Sequence, residues 1–216
     1  MKVTIIGAGN MGRGIGTRTV AGGNDVEIID RDPAEARALA EELQGAAGDG
    51  VSATAVEPGG RIGGEIVVLA LYYPSTLEAI EQHGDELAGK VVVEISNPVD
   101  FETYEGLAIP PDTSGAEEAA KRVPPDARVV KAFSTTFARV LIAGEITGHR
   151  PDVLIAGDDA GAKQAVASLA EAGGLRPIDV GLLRRARQLE QLMFLQITLQ
   201  EPMGTGYASH FKFLPD

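Results

Sequence analysis

The run from Lys2 to Gly12, Lys-Val-Thr-Ile-Ile-Gly-Ala-Gly-Asn-Met-Gly, constrains this chain more than any other stretch. A short Val/Ile-rich segment meets glycines in the spacing Gly-x-Gly-x-x-Gly, and helix-forming sequence follows to Ala21, so strand, tight turn and helix N-terminus make one unit. Gly7 permits the turn, Gly9 lets a pyrophosphate approach the backbone, and Gly12 lets the helix lie close on the strand. Asn10 and Met11 open the helix, where N–H groups face phosphate. Gly16 extends the close packing by a turn. A methyltransferase-type loop is the competing reading, because Gly12, Gly14 and Gly16 also alternate; it usually wants an acid just before the first glycine, and here that residue is Ile6.

After the turn Gly22-Gly23-Asn24, a second strand ends in Asp30, 18 residues beyond Gly12. A carboxylate there accepts hydrogen bonds from the adenosine ribose and repels a 2′-phosphate, which points to NAD. Arg31 keeps NADP open, since a guanidinium can stack on adenine or pair with a 2′-phosphate. The plain alternative for Asp30 is an acid ahead of the helix that starts at Pro33.

Short, non-alternating Val/Ile-rich runs recur at Val3–Ile6, Val26–Ile29, Ile66–Leu71, Val91–Ile95, Val129–Phe133 and Val153–Ala156, the pattern of parallel strands covered on both faces. Helical patterns lie between them at Gly12–Ala21, Pro33–Leu43, Ser75–Leu87, Gly115–Arg122 and Ala160–Ala172, with Ser75 and Asp159 as candidate caps. The expected fold is α/β: a doubly wound Rossmann sheet with a C-terminal extension of extra strands and an apolar helix. Residues 1–181 would form the dinucleotide-binding domain, with a Pro/Gly/acid-rich substrate loop at 97–125. Residues 182–216 would add a helix over Leu182–Gln200 and a tail, packed on the same domain or on a partner subunit. The leucine density of that helix predicts burial all round and a homo-oligomer, most simply a dimer.

A net charge of −12 with no basic stripe argues against nucleic acid, and the absence of cysteine excludes disulfides and thiolate chemistry. No apolar run approaches the roughly 18 residues of a membrane span. A first strand that begins at Lys2 leaves no space for a signal peptide, so a cytoplasmic location and a small-molecule partner are expected. Asp158-Asp159 reads better as a helix cap than as a metal pair, and no metal site is assigned.

Gly7–Gly12, then Leu69-Ala70-Leu71-Tyr72-Tyr73-Pro74, Ser96-Asn97-Pro98, Lys131–Thr136, Gly157-Asp158-Asp159 and Gly174–Gly181 closely resemble the coenzyme F420-dependent NADP oxidoreductase family. The reductase domains of membrane metalloreductases are similar in the same places. The resemblance implies hydride transfer between NAD(P)(H) and a second redox molecule, F420, a flavin or another small acceptor, by a protein that chiefly positions two rings. It places Leu71, Tyr72, Tyr73, Pro74, Asn97 and Pro98 beside the ribose and nicotinamide, and Ser134, Thr135 and Thr136 towards the second partner as the catalytic positions. Two departures stand out: the family pattern has a His where this chain has Ser134, and residues suited to NADP where it has Asp30.

Plain alternatives accompany these assignments. The two tyrosines can close a core, Ser134–Thr136 can cap a helix starting near Phe137, and Arg184, Arg185 and Arg187 can be a solvated face rather than a seat for a polyanionic tail. His210 falls in a tail expected to fold back near the cleft. The missing His also leaves a second class of function, a nicotinamide-binding sensor or scaffold without turnover.

Overall fold

The computed structural model describes residues 1–57 and 60–214. Among these, the strands are β1 (Lys2–Ile6), β2 (Asp25–Ile29), β3 (Ala53–Ala55), β4 (Ile66–Leu69), β5 (Val91–Glu94), β6 (Arg128–Lys131), β7 (Asp152–Gly157) and β8 (Arg176–Gly181). The helices are α1 (Asn10–Ala21), α2 (Pro33–Ala46), α3 (Tyr73–His83), α4 (Gly115–Ala120), α5 (Ala138–Ala143), α6 (Ala160–Ala172), α7 (Ala186–Thr198) and α8 (Gln200–Met203). They build one sheet in the order β3-β2-β1-β4-β5-β6-β7-β8. β1 to β6 are parallel, in the doubly wound arrangement with its strand-order reversal between β1 and β4.

Apolar side chains cover both faces of the sheet. Ile15, Leu39, Leu43, Val166 and Leu169 from α1, α2 and α6 lie on one face, and Ile80, Leu87, Ala116 and Ala119 lie on the other. The alternating Gly14 and Gly16 are explained by this packing: a Cβ at Gly14 would press on Leu141 at 3.1 Å and one at Gly16 on Leu43 at 2.6 Å. They let α5 and α2 close on α1.

Several boundaries differ from the sequence reading. β3 is new, and its three residues Ala-Thr-Ala are too short to show a pattern. Ser75 caps nothing, because α3 starts at Tyr73 with Pro74 in its first turn and no side-chain cap. Asp159 does cap α6, accepting from the Ala162 N–H at 2.7 Å, and Asp32 caps α2 through the Ala34 N–H at 2.9 Å. The expectation of wholly parallel strands fails at β7, which runs antiparallel to β6 and parallel to β8. The C-terminal helix is not buried all round. Its inner face carries Leu189 and Met193 together with polar Glu190 and Gln196, whereas Leu195 and Leu199 are exposed. Counting leucines misjudged it, since the polar residues rather than two of the leucines take the inner positions.

Reversal of β7 brings its first residue, Asp152, back to the carboxyl end of β6. There the buried Asp152 carboxylate accepts from Arg176 at 2.7 and 2.6 Å, from Lys212 at 2.6 Å and from the Phe213 N–H at 2.9 Å. Its own N–H donates to His210 Nε2 at 2.8 Å. The tail does fold back, held at its end by Asp152 and nearer α8 by Gln196 and Gln200, which donate to Ser209 at 2.9 and 2.8 Å.

Although burial raises the Asp152 carboxyl, the hydrogen bonds from Arg176, Lys212 and Phe213 outweigh it and lower the pKa to about 2. Because the folded value lies below the unfolded one, the stabilisation is complete above roughly pH 4 and is lost as pH falls towards 2. Urea unfolding should show a loss of about 2 kcal/mol from this group between pH 5 and pH 2. Asp152→Asn should be less stable at pH 5 and correspondingly less sensitive to acid.

Candidate functional site

The glycine loop closes between β1 and β4. Gly7 adopts φ +114°, and a Cβ there would come within 2.5 Å of the Ala70 carbonyl oxygen, so no larger residue fits. A Cβ at Gly12 would overlap the Gly7 carbonyl oxygen. Gly9 differs, with nothing within 4 Å of an added Cβ. Its backbone faces open space at the start of α1. α2, α4 and α6 receive side-chain caps from Asp32, Ser114 and Asp159, whereas α1, like α3, α5 and α7, has neither a side-chain cap nor an acid in its first turn. A 12-residue helix whose leading N–H groups are left for an outside partner fits the pyrophosphate of a dinucleotide.

Asp30 lies directly beside this loop. Its Oδ2 accepts from the Ala8 N–H at 2.7 Å and its Oδ1 from the Asp32 N–H at 2.9 Å. These bonds aim the carboxylate along the loop and leave it lone pairs for ribose hydroxyls. Arg31 is exposed. Leu71, Tyr72, Tyr73 and Pro74 follow β4 as expected, but the two tyrosines diverge. Tyr73 turns inward, where a Cβ on Gly115 of α4 would be 3.1 Å from its ring; Tyr72 faces solvent.

Asn97 and Pro98 begin the long loop after β5. The Asn97 Nδ2 donates to the Ser134 carbonyl at 3.0 Å, which fixes the amide with Oδ1 turned away. That Oδ1 and the Ser134 hydroxyl are both buried without a hydrogen-bond partner. Two orphaned polar atoms at the carboxyl ends of β5 and β6 suit a ligand carrying an amide, whose N–H and carbonyl they would satisfy. Ser134, Thr135 and Thr136 are all buried, in a turn that follows Phe133 at φ +59°. The capping alternative is not what is found, because α5 has Phe137 as its N-cap and receives no side-chain bond. Instead the Thr136 hydroxyl donates to the Asp152 carbonyl at 3.1 Å. Of the arginine run, Arg187 is committed to Glu117, at 2.8 and 2.6 Å.

Beneath these residues lies a cluster that the sequence reading missed. Glu94 at the end of β5, Lys131 at the end of β6 and Glu190 on α7 are completely buried, with Lys131 Nζ 2.7 Å from Glu94 and 2.8 Å from Glu190. Burial alone would lower the Lys131 pKa, but the two carboxylates outweigh it and hold the ammonium above its ordinary value. Burial raises Glu190 against the pull of Lys131. Every remaining arm of the cluster grips a loop end. Glu94 accepts the Ser96 N–H at 2.7 Å and the Ser96 hydroxyl, Lys131 donates to the Ser96 carbonyl, and Glu190 accepts the Gly115 and Ala116 N–H groups at 3.1 and 3.4 Å. The segment 97–114 is therefore fastened at both ends. A signal was available: Glu94 and Lys131 are the charged residues that end otherwise apolar runs, and they pair in register.

The profile of the family described as "NADP oxidoreductase coenzyme F420-dependent" matches residues 2–98. The F420-dependent NADP reductase of Methanothermobacter marburgensis is 31% identical over 211 residues, which cover 92% of each chain. The chain belongs to the coenzyme F420-dependent NADP oxidoreductase family. A crystal structure of a candidate F420-dependent NADP reductase from Arthrobacter sp. FB24 superposes with a TM-score of 0.80 at 31% identity, covering both chains completely. Metalloreductase STEAP3 of Rattus norvegicus is 32% identical over 191 residues; these cover 88% of this chain but 36% of that one, so the chain spans about a third of that relative. No helix described here is long and apolar enough to cross a membrane.

Removing the central charge should expose how far the site depends on the buried cluster. Lys131→Met would leave two carboxylates without a cation and should cost about 3–5 kcal/mol in guanidinium unfolding, with Glu190→Gln costing less. A loss below about 1 kcal/mol for Lys131→Met would show that the cluster is not a support.

Proposed function

We propose that this chain, an oxidoreductase by its family, moves a hydride between NADH and a second small redox molecule. The observation that carries the cofactor choice is the Asp30 carboxylate, held 2.7 Å from the Ala8 N–H of the glycine loop. A 2′-phosphate would meet this fixed negative charge, whereas ribose hydroxyls donate to it. The family name favours NADP, and Asp30 is the point at which this chain departs.

Bound here, a dihydronicotinamide supplies a hydride with its electron pair to the acceptor, which takes the balancing proton from solvent. The residues of the chain bind and orient. The α1 N-terminus with Gly7, Gly9, Asn10, Met11 and Gly12 holds the pyrophosphate, Asp30 and Arg31 meet the adenosine end, and Leu71 to Pro74 with Asn97 and Pro98 line the nicotinamide side. Ser134 and Asn97 supply a donor and an acceptor for the carboxamide, and the turn through Thr135 and Thr136 closes the site on the acceptor side. Such chemistry depends on holding the reacting carbons close rather than on a general base. That removes the need for the His of the family pattern and favours turnover over a sensor role. The exposed Leu195, Leu199 and Met203 on the α7–α8 face support a homodimer, which sedimentation would reveal as twice the chain mass.

Asp30→Ser should weaken NADH binding about tenfold or more and improve NADPH binding, read by nicotinamide fluorescence. Unchanged preference would mean that Asp30 does not touch the ribose. Oxidation of NADH followed by absorbance, with F420, FMN, FAD and simple carbonyls as acceptors, tests the reaction itself; absence of turnover with all of them would count against it.

A further inference from the structure

Asp152 has every polar group engaged, and one of its bonds survives only while a ring nitrogen stays unprotonated. Its carbonyl accepts from the Thr136 hydroxyl at 3.1 Å, and its carboxylate takes four bonds, from Arg176, Lys212 and the Phe213 N–H. Its own N–H donates to His210 Nε2 at 2.8 Å. A backbone N–H cannot accept, so Nε2 carries no hydrogen and the imidazole is neutral, with its single proton on Nδ1. That Nδ1 is buried and has no hydrogen-bond partner. Little else holds the last residues. Phe211, Phe213 and Leu214 are exposed, so beyond Ser209 the tail is kept in place by polar contacts rather than by burial. The turn at the other end of the link is strained: the buried Phe133 takes φ +59°, and the Thr136 hydroxyl ties the turn to β7.

Charge on the His210 ring is opposed by geometry as well as by burial, which lowers its pKa below the usual histidine value of 6.5. A second proton would sit on Nε2, pointing at the hydrogen of the Asp152 N–H. The Asp152 carboxylate offers no other seat, because four bonds already use its roughly four lone-pair sites. The charged groups acting on the imidazole are Asp152 of β7, which favours a cation, and Lys212 of the tail, which opposes one. Arg176 of β8 is bound to that same carboxylate. Arg139 of α5 donates to the Gly206 carbonyl at 2.7 Å, Arg150 ahead of β7 donates to the Gly174 and Leu175 carbonyls, and α7 contributes the neutral Gln196.

We infer that the neutral His210 imidazole is a positioning residue for the Ser134–Thr136 turn, and that a proton taken up from solvent on Nε2 unfastens residues 210–214 from Asp152 and slackens the turn. This rests on the function proposed above only in giving that turn a part in nicotinamide binding. One residue carries the link, since His210 grips the N–H of Asp152 and Thr136 grips its carbonyl. Because burial depresses the folded-state value, the latch is closed above pH 6.5 and opens as pH falls through the lower value of the folded protein. Asp152, with its carboxyl at about 2, keeps its charge across that range.

Amide hydrogen exchange on the full chain tests this, expressed as protection factors so that the intrinsic pH dependence of exchange divides out. The amides of Asp152 and Phe213 read the latch and that of Thr136 reads the turn. Between about pH 7.5 and about pH 4.5 their protection should fall about tenfold or more in the wild type. His210→Gln, whose amide oxygen can accept the Asp152 N–H at either pH, should stay protected at both, and His210→Ala should be unprotected at both. Imidazole nitrogen-15 shifts at the higher pH should report the Nδ1–H tautomer. NAD+ affinity, read by calorimetry, should fall about threefold or more with acid in the wild type and hold in His210→Gln. The inference is overturned by an Nε2–H tautomer, by equal protection at the two pH values, or by a loss in His210→Gln as large as in the wild type. Acid loss of protection that His210→Gln abolishes, with NAD+ affinity that does not follow it, would keep the latch and remove the turn from the nicotinamide site.

Discussion

One ammonium group between two carboxylates, all shut away from water, is the constraint around which the carboxyl ends of β5 and β6 and the long loop between them are arranged. Charges of this kind are costly to bury, and they persist because each remaining lone pair and proton is used. Here the spare valences go to backbone at Ser96, Gly115 and Ala116. Lys131 thus joins three things that sequence keeps apart: the ends of two neighbouring strands, both stems of the long loop, and the helix that follows the sheet. An apolar core of equal volume could hold α7 against the sheet, but it could not also set the register of two loop stems to within a hydrogen bond.

On the nucleotide side the determinants are local, and this is why they were legible. Strand β1, the glycine loop, α1, β2 and Asp30 form one uninterrupted stretch, and each requirement is met by a residue whose reason is visible in the sequence: a glycine where a Cβ would collide, an acid where a strand ends. The central strands were equally plain, because burial on both faces demands continuous Val and Ile. Local pattern carried no information about the direction of β7, which depends on how the chain returns after α5. It also could not show β3, three small residues that become a strand only because β2 offers them an edge.

The surroundings of Asn97 and Ser134 were read from resemblance rather than from residues, and the structure explains the difference. Their main supports are non-local: Glu190 meets Lys131 across 59 positions and Gly115 across 75. Glu94 and Lys131 were passed over, because a charge ending a strand is ordinary until its partner is known. Leucine-rich α7 misled for the opposite reason. Apolar content was taken as a measure of burial, whereas the helix turns Glu190 and Gln196 inward to serve polar groups.

The position of Glu190 near the chain's far end has a consequence for how the molecule comes into being. Chains emerging during synthesis fold their early segments first. The sheet from β1 to β5 and the glycine loop can assemble while α7 is still unmade, but Lys131 and Glu94 then lack their third member and the loop's second stem has no anchor. A nascent chain would therefore complete its glycine loop well before both stems of the 97–114 segment are anchored. The part built from neighbouring residues is finished first, and the part held together across the chain last.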